Sequence, residues 1–286
     1  MQIAYHLGVH CTDEDRLLRC LLKNRGLLSA EGIAVPGPKR YRVLLRDAAA
    51  QLRGRPASGE TQAMLIDQIL DEDAAERMVL SWDQFMGLAR YAARGALYPS
   101  AGERMRAFAQ VFPEAETEFH LAICNPASFL PAVFARQDGV PRAEFLGGAD
   151  PLKLRWSDTI ADLRAMNPSV PVTVWCDEDA PILWPEVLQS VAGHGDDLPL
   201  VDALDRLTDL LTSDGAAWLA ARPPATGPAR RAVLAEALAR HARPGALEVE
   251  IEMEGFDATL AAELTAAYEA DVAKIAGMAG VQLLTP

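Results

Sequence analysis

The feature that most constrains the fold is the alternation of short β-rich runs with longer helical patterns. The runs are IAYHL (3–7), RMVLSW (77–82), EFHLAIC (118–124) and VPVTVW (170–175). Strands separated by helix-length segments cannot pair as hairpins, so the pattern predicts an α/β fold with a mainly parallel sheet joined by helical crossovers. Leu17, Leu18, Leu21 and Leu22 recur at three-to-four-residue spacing, as do Leu204, Leu207 and Leu211, which predicts helices with one buried stripe.

The chain has 286 residues and is 50% hydrophobic, enough to bury a substantial core. RPPATGPARR (222–231) is its clearest break, because prolines and glycine interrupt a helix. The reading is therefore a core over 1–221 and a helical C-terminal extension over 222–286 packed on the same domain. Within the extension, an Arg- and Ala-rich helix is expected to about His241. In LEVEIEMEG, Leu247, Val249, Ile251 and Met253 alternate with glutamates, the pattern of a strand with one solvated face. From Asp257, a candidate N-cap, Leu260, Leu264, Tyr268, Val272 and Ile275 mark a last amphipathic helix.

Lys and Arg total 27 against 40 Asp and Glu, a formal charge of −13, which repels polyanions. Nucleic acid and anionic membrane are thus poor partners, and a small-molecule, carbohydrate or protein ligand is the expectation. The four cysteines, Cys11, Cys20, Cys124 and Cys176, form no C-x-x-C pair. A cytoplasmic, unprocessed protein is expected, since the N-terminus lacks a signal-peptide pattern and no apolar run is long enough to span a bilayer.

Function concentrates in the turn after the first run. HLGVHCTDEDR (6–16) joins a strand to a Leu-rich helix through a glycine-containing turn, a shape suited to holding phosphate at a helix N-terminus, yet it carries Asp13, Glu14 and Asp15. Thr12 followed three residues later by Asp15 has the spacing of a capping arrangement, so these side chains are expected to satisfy the helix start themselves. His10, Cys11, Asp13 and Asp15 together supply nitrogen, sulfur and oxygen donors for a metal-binding hydrolase or binding module. No H-x-x-x-H on a helix or C-x-x-C supports that set, so no metal ligands are assigned. A helix N-terminus lowers a thiol's pKa, but adjacent carboxylates raise it, which argues against Cys11 as a nucleophile.

HLGVHCT (6–12) resembles the N-terminal P-loop of the bacterial sulfotransferase family, in which a strand leads into His-Ile-Gly-x-His-Lys-Thr-Gly-Thr-Thr. LLKNRGLLSAEGIAVP (21–36), LSWDQF (80–85), FHLAICNPASFLPAVFARQ (119–137) and LRWSDTIADLRAMNPSVPVTVW (154–175) are similar to later segments of that family. The resemblance implies a P-loop NTPase-like three-layer fold and the sulfuryl donor PAPS as cofactor. It places the donor at Gly8, Cys11, Thr12, Asp13, Glu14, Asp15, Cys124 and Ala132. Cys11 stands where the family has lysine, Asp13 where it has glycine, and Glu14 and Asp15 where it has hydroxyl residues. Cys124 replaces an arginine, Ala132 a serine and Phe134 a tyrosine. Asp83 falls where the family has an acidic residue near the acceptor, and is the candidate general base, with His10 the second catalytic candidate. A cap on the following helix is the competing role for Asp83.

A helix N-terminus attracts an anion by about 0.3–1 kcal/mol, or about 2 when partly buried. One carboxylate roughly 4 Å from a phosphate charge repels it by about 4 kcal/mol at an effective dielectric near 20. The sequence therefore reads as a sulfotransferase-like protein whose donor site is degenerate, a pseudoenzyme binding a ligand in the old acceptor cleft. The alternative is an active, divergent sulfotransferase that sulfurylates a carbohydrate or small-molecule hydroxyl, with cations drawn from Lys23, Arg16 or Arg19.

Overall fold

The computed structural model describes residues 1–70, 75–137, 139–222, 225–248 and 253–286. Among them, six strands form one parallel sheet: β1 (Gln2–His6), β2 (Ile33–Ala34), β3 (Arg77–Ser81), β4 (Glu116–Ile123), β5 (Val172–Cys176) and β6 (Val281–Leu284). Their order is β2-β3-β1-β4-β5-β6. The α/β fold with a parallel sheet is as the alternation predicts.

β1 lies between β3 and β4, with Tyr5 paired to both Leu80 and Phe119. Alternate side chains feed two separate cores. Ile3 and Tyr5 pack with Tyr41, Leu45, Phe108 and Trp156 on one face, while Ala4 joins Val79, Trp175, Leu17, Leu21 and Trp184 on the other. Helices cover both faces, which explains why these strands read as continuous apolar runs.

The C-terminal segment differs from the expected helical extension. The helix Ala258–Ala276 packs against the helices Pro126–Phe134 and Trp156–Met166, and the chain then adds β6 beside β5. VQLL is too short and too plain in pattern to stand out as a strand; its pairing with Val172 to Trp175 makes it one. Asp257 does cap its helix, accepting from Leu260 N–H at 2.8 Å. The alternating segment at 247–253 falls largely outside the described residues. Leu204, Leu207 and Leu211 do not share a long helix: Asp205–Thr208 is a single turn, and Leu207 and Leu211 enter a small satellite core with Leu219, Leu234 and Ala237. Among the described residues no helix is long and apolar enough to cross a membrane.

Candidate functional site

After β1 the chain turns toward β2 and β3, whereas after β4 it proceeds to β5 on the other side. The carboxyl ends of β1 and β4 thus flank a topological switch point, where open α/β sheets form their ligand crevices. A cleft of about 870 Å³ lies there, walled on one side by Cys11, Thr12, Asp13 and Glu14 and on the other by Cys124, Ser128 and Ala132. A smaller cavity of about 310 Å³ adjoins it, lined by Gly8, His10, Asp15, Ser81, Asp83 and Arg136, with Cys11, Asp13 and Glu14 facing both. Every site residue expected from sequence therefore lines one of these two spaces.

The loop is bent sharply. Cys11, Glu14 and Asp15 all have positive φ, at 63°, 51° and 63°. Left-handed backbone costs an ordinary residue roughly 1–2 kcal/mol, so the surroundings must hold it. Thr12 Oγ1 donates to the Val9 carbonyl at 2.6 Å. Arg42, from the helix Pro38–Leu52, bonds Asp15 Oδ1 at 2.6 Å and the Ser81 carbonyl at 3.0 Å, tying the loop to the end of β3. Gly8, with φ of 52°, has no room for a side chain, because a Cβ would lie 2.8 Å from the Asp83 nitrogen. The glycine is required by this close approach of two chain segments.

The helix start does satisfy itself, but through different atoms from those the Thr12 and Asp15 spacing suggests. Asp15 occupies the N-cap position in left-handed conformation and makes no side-chain cap. Asp13, buried, instead accepts from the Leu17 N–H at 3.0 Å. Thr12 and Asp15 are withdrawn by Val9 and Arg42.

Burial sets the protonation of the groups around this loop. The Cys11 thiol is pushed up to about 11 by desolvation, outweighing the nearby Arg136 guanidinium. Burial also raises the Cys124 thiol well above its ordinary value. Neither is a thiolate near neutrality, so neither is primed as a nucleophile.

His10 and Asp83 are brought together. His10 Nε2 lies 3.9 Å from Asp83 Oδ2, with the histidine buried and the aspartate half exposed. The Tyr98 hydroxyl accepts the His10 main-chain N–H at 3.1 Å and meets Nδ1 at 2.7 Å. The arrangement that pairs all three groups spends the hydroxyl proton on Nδ1 and leaves the ring proton on Nε2, the nitrogen nearer Asp83. Desolvation lowers the His10 pKa despite the neighbouring carboxylate, in keeping with this neutral tautomer. The Asp83 carboxylate thus stands beside the buried His10 ring without a hydrogen bond to it, with one side open to the smaller cavity.

Basic side chains reach the larger cleft but are already engaged. Arg16 meets Asp209 at 2.5 Å and Asp205 at 3.5 Å, and Arg206 pairs with Asp177 at 3.1 Å. Arg19 donates to the Glu14 carbonyl at 2.9 Å. Lys23 lies elsewhere, paired with Asp202. Asp13, Glu14, Asp177, Glu178, Asp209 and Glu248 share the lining, so the cleft is acidic overall. Among the described residues no group of three or more His, Cys, Asp or Glu is placed to hold a metal ion. Three of the four loop donors turn to different partners: His10 to Tyr98, Asp13 to Leu17 and Asp15 to Arg42.

Several contributors escaped sequence reasoning. Tyr98 comes from the segment before the helix Ala101–Ala109 and Arg42 from within the helix Pro38–Leu52, and neither carries a local signature. Glu178, in the DED triplet after β5, accepts from Asn125 N–H at 2.6 Å and Tyr268 hydroxyl at 3.1 Å. Its place just beyond a strand's carboxyl end was the signal that could have found it. No family model, curated protein or solved structure matches the chain.

Proposed function

We propose that this chain is a sulfotransferase-like protein of the P-loop type whose donor cradle has closed on itself, and that its cleft binds a non-nucleotide ligand such as a carbohydrate or a protein segment. The observation that carries this reading is the Asp13 carboxylate seated on the Leu17 N–H at 3.0 Å. It occupies the helix N-terminus that a phosphate would use, and the neighbouring position holds a neutral thiol, Cys11, in place of a cation. The engaged arginines and acidic lining support the same reading.

The test is a thermal-shift titration with adenosine 3′,5′-bisphosphate, with and without magnesium. A ligand that binds only the folded state raises apparent stability by mass action. No shift at millimolar nucleotide is the expected result; a saturable rise at micromolar nucleotide overturns the closed-cradle reading.

One observation favours a second reading, an active divergent sulfotransferase: the Tyr98–His10–Asp83 array ends in a half-exposed carboxylate beside the loop. Asp83 would take the proton of an acceptor hydroxyl, with the buried His10 ring 3.9 Å behind it. Sulfuryl transfer from PAPS to a carbohydrate hydroxyl that disappears in Asp83→Asn would establish it.

A further inference from the structure

Cys11, Asp13 and Glu14 face both cavities and so form the partition between them. The acids on either side of Glu14 are anchored within the fold: Asp13 to the Leu17 N–H and Asp15 to Arg42. Glu14 is held differently. Its carboxylate pairs with Arg136, which reaches across from just beyond the helix Pro126–Phe134, and this is its one side-chain partner among the described residues. The Arg136 main chain is itself fixed, its N–H donating to the Val133 carbonyl at 3.2 Å.

Both side chains of this pair stand in solvent, Arg136 50% and Glu14 58% exposed. An ion pair so placed is worth only a small factor in an equilibrium, because water and salt screen it. Glu14 also has left-handed backbone, with φ of 51°, a conformation that persists only where its surroundings impose it. The partition is therefore firm at Asp13 and Asp15 and weakly held between them. Asp83 lines the smaller cavity and not the larger cleft, so a ligand in the cleft is separated from it by this partition.

We propose that the Glu14–Arg136 pair is a latch on the partition: closed, it keeps the two cavities apart; released, it joins them, so that a ligand in the larger cleft reaches Asp83. The latch regulates the site assigned under the proposed function and rests on that reading for the ligand alone. Its test needs no ligand, so either can fail without the other.

Cys11 reports the state of the latch. Of the four cysteines it is the one not buried, and both members of the pair act on its thiol: burial raises its pKa most, Arg136 lowers it and Glu14 raises it. The experiment is iodoacetamide labelling of the full chain near pH 7.5, with the rate at each cysteine read by peptide mass spectrometry. Arg136→Ala and Glu14→Gln should each speed Cys11 about two- to fivefold, the range open to an exposed ion pair, while Arg136→Lys keeps most of the protection. Charge acting on the thiolate without a latch gives opposite signs, since loss of Arg136 then slows Cys11 and loss of Glu14 speeds it. In the parent, raising salt from about 0.05 to about 1 M should accelerate Cys11, with no further effect in Arg136→Ala. A slower or unchanged Cys11 in Arg136→Ala overturns the proposal. So does a parent rate indifferent to salt, or acceleration of the buried Cys20, Cys124 and Cys176 in step with Cys11, which marks loosening of the whole fold.

Discussion

The loop cleft and a second cavity, beside the satellite core, solve opposite problems. Around the loop, strongly polar groups are matched: Asp13 to Leu17 N–H, Asp15 to Arg42, Arg16 to Asp209, His10 to Tyr98. In the satellite cavity leucines and a valine share the walls with His194, Asp205 and Arg230, which carry buried polar atoms without a hydrogen-bond partner. A site that completes its own hydrogen bonds folds without a ligand, and an incoming anion must displace those bonds. A site whose buried polar atoms lack partners gains from a rearrangement or a ligand that supplies them. The number of charged residues in a pocket therefore says less about binding than how many of them are already spent.

The comparison breaks most readily at the satellite core. Leu234 is fully buried there, so Leu234→Ala should cost about 2–5 kcal/mol locally, read by urea unfolding. It should loosen the cavity and leave the Tyr98–His10 contact intact, as judged by the histidine's NMR titration. Coupled collapse of both regions would show that they are one cooperative unit.

Arg42→Ala should cost about 1–3 kcal/mol, because Asp15 and the Ser81 carbonyl lose a charged donor. Greater protease sensitivity at the loop is the local readout. Asp13→Ala should lower stability by about 1 kcal/mol through loss of the Leu17 cap, and at the same time free the helix N-terminus. If self-capping is what excludes the nucleotide, weak binding of adenosine 3′,5′-bisphosphate should appear in this variant. A variant as indifferent to nucleotide as the parent would place the block elsewhere in the acidic lining.

Acid should weaken the core around the loop. His6, His10 and His120 all have pKa values lowered from 6.5, chiefly by burial. The unfolded chain then binds more protons than the folded one below pH 6.5. Stability is fully present above that pH and is lost as pH falls through it. Denaturant midpoints measured downward from pH 7.5 check the sign. The smallest effect is chemical: with its thiol pushed up to about 11, Cys11 should react with iodoacetamide far more slowly at pH 7.5 than a free thiol, and accelerate as pH rises.

Much of the architecture is legible in the sequence. The four apolar runs become β1, β3, β4 and β5 because a parallel strand buried on both faces needs apolar residues throughout. β2 and β6 are not legible: Ile33–Ala34 and Val281–Leu284 are short edge strands defined by their neighbours. The residues of the candidate site were legible as a set, since a loop after a central strand must arrive at the switch point. Their individual roles were not. Thr12 and Asp15 have capping spacing, yet Val9 and Arg42 claim them, and Asp13 makes the cap.

The sequence by itself determined the alternation of strands and helices, the acidic character and the location of the loop, because periodicity and charge are properties of neighbouring residues. Only the tertiary structure decided that the Tyr98 hydroxyl meets His10, that Arg42 holds Asp15, and that Asp13 caps the helix in place of Thr12 and Asp15. Those facts depend on which distant side chains meet, and hydrogen bonds, having a reach of about 3 Å, register only that meeting.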